Sequence, residues 1–131
     1  TNKSPIMINV NIFKIAETVR PDLAIVDGFV GAEGDGPNDC DPVDHKIVIA
    51  GTDCIAVDRL GVELMGIPYE KVGYLQWCSE NGLGQGDLDR IKVIGPDYRT
   101  FIKTYRLHRN IAWQYEWMDK VVIPNHNKIN W

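Results

Sequence analysis

The sequence predicts an α/β fold, a small sheet in two or three layers. Strands are expected near residues 23–27, 46–50 and 90–94, and helices near 9–20, 54–65, 70–81 and 98–118. Two observations carry this. Short apolar runs alternate with stretches whose apolar residues recur at helical spacing, and each run is bounded by glycine, proline or aspartate. The chain has 131 residues, 44% hydrophobic and 24% charged, the size and composition of an ordinary globular domain.

Ile12, Ile15, Ala16 and Val19 lie on one face of the first helix, which Asn9 or Asn11 can cap and Pro21 stops. Leu23, Ala24, Ile25 and Val26 form the first strand, ending at Asp27. From Asp27 to Pro42, Gly28, Gly31, Gly34, Gly36, Pro37 and Pro42 are too many breakers for a regular element, so a long loop is expected. Lys46 to Ala50 form the second strand, and Thr52 or Asp53 caps the helix that follows.

That helix carries a main stripe of Ala56, Val57, Leu60, Gly61 and Leu64, and a second of Ile55 and Val62 interrupted by Asp58. A helix apolar on two sides is covered on both, so a second layer or a partner is expected against its outer face. Gly66 and Pro68 end it, and Val72, Leu75 and Cys78 point inward from the next helix, capped by Gly82. Arg90 to Ile94 read as the third strand, and Tyr98, Phe101, Ile102, Tyr105, Trp113 and Trp117 keep helical spacing beyond it.

The net charge is -4, but it is unevenly distributed. Between residues 22 and 58, nine carboxylates face Lys46 alone, for -8, whereas residues 90–131 sum to +5. An acidic zone repels phosphate, which argues against nucleic acid, and the basic residues of the tail read as the solvated face of a helix. No apolar run is long enough to span a membrane. Cys40, Cys54 and Cys78 contain no close pair, so no iron-sulfur ligand motif is present, and the sparse thiols suggest a reducing, cytoplasmic compartment.

The glycine spacing at Gly31, Gly34 and Gly36 reverses the dinucleotide fingerprint and carries Glu33 and Asp35, so nucleotide binding there is not expected. Carboxylates at strand ends are the stronger lead. If the first two strands are parallel neighbours, Asp27 and Asp53 converge outside their ends, with Glu33 or Asp35 folding over them. Asp27, Glu33 and Asp53 would then be ligands for a divalent cation such as Mg²⁺ or Ca²⁺, or one of them a general base. The competing reading is that Asp53 only caps its helix and Asp27 only closes its own turn. His45, beside Asp44 and near Cys40 and Asp41, matches no standard metal-ligand spacing. His108 and His126 show no partner in the sequence, and Trp77, Trp113 and Trp117 read as core or interface anchors.

In Pro21–Gly28, in Glu33-Gly34-Asp35-Gly36-Pro37, and in Ala50-Gly51-Thr52-Asp53 with Ala56-Val57-Asp58, the chain resembles the DUF362 family of uncharacterised proteins. The resemblance continues through Leu64-Met65-Gly66, Gly82-Leu83-Gly84, Asp87-Leu88 and Ile91–Gly95, and looks like the C-terminal half of the family domain. It departs from the family at Cys40 and at Cys54. It implies a DUF362-like α/β domain over 1–96, part of a larger domain, with a helical extension over 97–131. It also implies an iron-sulfur-linked redox setting, with a missing N-terminal half or a ferredoxin-like segment as partner. The expected site is an acidic loop binding a polar ligand or cation through Asp27, Gly28, Glu33, Gly34, Asp35, Asp53 and Asp58. The alternative is a non-catalytic interaction domain, or a homo-oligomer, using an apolar helix face and the Trp-rich tail.

Overall fold

The computed structural model describes residues 5–120. Helix α1 (Pro5–Thr18) leads into strands β1 (Ala24–Asp35) and β2 (Asp39–Gly51), followed by α2 (Cys54–Leu64) and α3 (Gly73–Glu80). Two four-residue helices, α4 (Ile111–Gln114) and α5 (Trp117–Lys120), come last. The α/β class stands, with a two-stranded antiparallel sheet.

Helix α2 is the central layer. Val57, Leu60 and Leu64 form a buried cluster with Ile49, against which Val26 and Ile47 of the hairpin pack. On its other side Ile55 is buried with Phe13, Leu75, Trp77, Cys78 and Trp117, and Val62 packs against them. The two apolar stripes of α2 are therefore covered on both sides by the chain itself, the sheet on one and α1, α3 and α5 on the other.

Four sequence expectations need correction. The segment from Asp27 to Pro42 is not a loop: the strands run on to Asp35 and start again at Asp39, with a cis Gly36–Pro37 peptide in the turn. Antiparallel pairing lets glycine serve where another chain segment presses close, and a Cβ on Gly31 would collide with the Tyr105 ring. Residues 90–94 are not a strand. Among the described residues they follow a 3-10 turn (Leu88–Arg90) and make no ladder, although Val93 packs on the α2 cluster.

The helix expected over 98–118 is broken into a 3-10 turn (Tyr98–Phe101), an extended strap, α4 and α5. In the strap, Lys103 N–H and Tyr105 N–H donate to the carbonyls of Leu64 and Met65 at 2.9 and 3.0 Å. Those long-range bonds replace the helical ones. Finally, α1 turns Phe13 inward, with Ile6, Val10 and Ala16 against the core, and leaves Ile12, Ile15 and Val19 exposed.

Candidate functional site

The tip of the hairpin opposes carboxylates. Glu33 pairs with Asp41 and Asp35 with Asp39 across the strands, an arrangement that repels unless a cation is interposed. The strap supplies the cations. Arg106 N–H donates to Glu33 Oε2 at 2.8 Å while its guanidinium bonds Asp41. Arg109 N–H donates to Asp35 Oδ1 at 2.7 Å, and its guanidinium reaches both Asp35 and Asp39. These contacts hold the Asp35 carboxyl below its ordinary pKa, the backbone hydrogen bond from Arg109 being the largest cause. Gly34, at φ 85°, donates its N–H to the Arg106 carbonyl at 2.8 Å.

His45 fastens the strap from beneath. It is 5% exposed, with Nε2 2.7 Å from the Phe101 carbonyl and Nδ1 2.8 Å from Tyr105 Oη. A carbonyl can only accept, so Nε2 carries a proton, and in the neutral ring Nδ1 accepts from the tyrosine. His45 is thus a strap anchor. His108 Nδ1 lies 3.6 Å from Asp35 and accepts the N–H of Asn110. His126 lies outside the described residues.

The acidic residues expected to converge do not. Asp27 is exposed, faces Val48 across the strands and accepts the N–H of Phe29 at 3.0 Å, beside an irregularity in the register. Because the strands are antiparallel, Asp53 lies five residues beyond Val48, at most roughly 16 Å along the chain at ~3.3 Å per residue and away from Glu33. Glu33 is farther still, at the strap. Among the described residues no three His, Cys, Asp or Glu side chains meet as metal donors. Gly28 lies against Ile47, and a Cβ there would meet Ile47 Cγ1 at 2.7 Å.

Asp53 caps α2. Its Oδ1 accepts the N–H groups of Ile55 and Ala56 at 3.0 Å, and its Oδ2 accepts Gln85 N–H at 2.8 Å. The loop can come this close because Gly84 has no side chain; a Cβ there would lie 2.6 Å from Ile55 Cβ.

Asp58 sits on the α1/α3 side of α2 and accepts Tyr74 Oη at 3.0 Å. Burial pushes its pKa up, and the tyrosine bond only partly opposes this. Burial likewise raises the Cys54 thiol, and raises Cys78 to about 11, so both are neutral thiols near pH 7 rather than thiolate nucleophiles.

A carboxyl whose pKa is higher in the fold than in the unfolded chain favours the fold fully below the unfolded value and loses that contribution as pH rises through the folded one. Asp58→Asn keeps an oxygen for Tyr74 and removes the charge. It is expected to raise the thermal midpoint at neutral pH and to leave it unchanged in acid below the carboxylate range. A variant no more stable than the parent at neutral pH would rule out a buried-charge burden.

Two features not foreseen from the sequence complete the surface. One is an open groove of about 740 Å³ between β2, α2 and residues 90–96. The other is the outer stripe of α1, where Ile8, Ile12, Ile15 and Val19 are 58%, 38%, 62% and 60% exposed. The spacing of that stripe was legible beforehand; its direction was not.

Residues 2–63 match the family model of DUF362, a domain of unknown function. The DUF362 match takes in α1, the hairpin and α2 to within one residue of its end. It includes the Glu33–Pro37 turn and the Asp53 cap, whereas the strap that neutralises the hairpin tip lies beyond it. The Gly82–Gly84 and Ile91–Gly95 portions of the resemblance also fall outside the matched residues. No curated protein and no solved structure matches the chain. No helix among the described residues is long and apolar enough to cross a membrane.

Proposed function

We propose that this DUF362 segment serves as a protein-interaction module that pairs with a second copy of itself through α1. The observation that carries the reading is a helix apolar on both sides of which only one side is covered. Phe13 is fully buried, yet Ile8, Ile12, Ile15 and Val19 face outward.

Their spacing of four, three and four residues is that of a coiled-coil seam, which wants a partner helix. The seam is flanked by uncharged Asn11 and Thr18, while Lys14 and Glu17 pair with each other at 2.7 Å. A stripe with no charges at its borders is self-complementary about a two-fold axis, because neither orientation sets like charges together. Burying each large aliphatic side chain contributes about 1.5–3 kcal/mol.

A redox-linked role would reach this domain through whatever accompanies it, since Cys40, Cys54 and Cys78 lack the close spacing of cluster ligands.

Sedimentation equilibrium tests the proposal. The wild type is expected to dimerise, and the Ile12→Glu, Ile15→Glu double variant to be monomeric with an unchanged circular dichroism spectrum, since both positions are already exposed. A wild type that stays monomeric at high protein concentration, or a variant that dimerises as well as the parent, overturns it.

A further inference from the structure

The edge of β2 that β1 leaves free borders the groove, and residues 90–96 form its far wall. Both walls are extended chain under the same helix. Ile91 has φ -92° and ψ 118°, and Val93 packs on the cluster of Ile49, Val57, Leu60 and Leu64. No backbone hydrogen bond joins residues 90–96 to β2. A sequence with strand character therefore runs beside a strand edge without pairing to it, and the space between is open. Neighbouring strands lie ~4.8 Å apart, so skipping one position in a helix-covered sheet leaves a slot of this kind.

The side chains along the slot alternate. Ile91 and Val93 are partly buried whereas Arg90 and Lys92 are exposed; on β2, Ile47 and Ile49 face α2 whereas Lys46 is exposed. Lys46 pairs with Asp44 at 3.0 Å, so Arg90 and Lys92 carry the net positive charge of the open face. Asp53 is the one carboxylate among the lining residues, and its oxygens already accept backbone N–H groups.

We propose that the groove takes an extended acidic peptide from a partner protein, added as a strand along the free edge of β2. Its main chain bonds the edge, alternate apolar side chains enter under α2, and the intervening carboxylates meet Arg90 and Lys92. Main-chain pairing supplies affinity and the alternating pockets supply selectivity. This surface is separate from the α1 stripe, and the proposal does not depend on that one.

Fluorescence anisotropy with a labelled octapeptide of Glu-Val repeats tests it on the whole chain. The peptide is expected to bind saturably, a Lys-Val octapeptide not to bind, and a Glu-Val peptide N-methylated at every residue to lose binding because its main chain cannot donate. The Arg90→Glu, Lys92→Glu variant should weaken binding by about tenfold or more, and the Ile12→Glu, Ile15→Glu variant should bind as the wild type does. Absent Glu-Val binding, equal binding of the Lys-Val peptide, or undiminished binding of the N-methylated peptide overturns the proposal, the last on unmutated protein. Self-association abolished by Arg90→Glu and Lys92→Glu would assign the slot to a second copy and likewise overturn it.

Discussion

Replacing Trp77 by alanine is expected to remove a large share of the stability of the fold. Its indole is 1% exposed and stands edge-on to Phe13 at 6.3 Å and to Trp117 at 5.6 Å, between α1 and α5. Truncating a buried aromatic side chain costs about 3–5 kcal/mol, and the lost ring pairs fall at the upper end of that range. Against a total of about 5–15 kcal/mol for a domain, this is the largest single-residue effect the core offers. Trp77→Phe keeps a ring in place and is expected to lose about half as much. Urea denaturation reads both values, and a loss under about 2 kcal/mol for the alanine variant would mean that α1 and α5 do not depend on this contact.

The second large effect is at Asp53, and it separates a structural role from a chemical one. Alanine there leaves the first turn of α2 without its cap, worth about 1 kcal/mol, and strands the N–H of Gln85, worth about 1–2 kcal/mol when partly buried. A total loss of about 2–3 kcal/mol is expected. Asp53→Asn retains the Oδ1 acceptor and should fall between the alanine variant and the wild type. Hydrogen exchange locates the damage: protection should drop at Ile55, Ala56 and Gln85 together. Unchanged exchange at Gln85, or a stability loss below about 0.5 kcal/mol, would free Asp53 from its cap role and reopen it as a ligand-binding carboxylate.

Much of this fold could be read from local signals. The helix at 54–64 was legible because its cap, its periodicity and its stop at Gly66 agree, and its two apolar stripes correctly called for two covering layers. The bland reading of Asp53 as a cap and of Asp27 as a turn-closing side chain was also legible, since such bonds reach only two or three residues. The hairpin was not. Glycines at 28, 31 and 34 look like breakers until the segments that press on them are known, and Ile47, Tyr105 and Arg106 do so from positions at least nineteen residues away.

The expected carboxylates do not converge, for a related reason. Their convergence assumed parallel strands, and pairing direction is not written in either strand. The clasp between Glu33, Asp35, Asp39 and Asp41 and the arginines of the strap left a visible trace in the charge segregation, -8 in one stretch and +5 in another. Taken separately, the basic block reads as a solvated helix face and the acidic block as a cation site, because charge blocks carry no information about which of them meet.

The sequence by itself determined the class of fold, the presence of α1 and α3, the position and two-sided character of α2 and the local bonds of Asp27 and Asp53, whereas α1 starts at Pro5, ahead of its expected cap at Asn9 or Asn11. These rest on contacts within a few residues, where spacing and side-chain chemistry suffice. Only the tertiary structure decided that the strands run antiparallel, that the strap lies extended across them, that α1 turns Phe13 inward and its isoleucines out, and that residues 90–94 stop short of the sheet. Each of those outcomes depends on a contact between distant segments. There, burial and hydrogen bonding with a remote partner outweigh local propensities that differ by a few tenths of a kcal/mol up to about 1 kcal/mol.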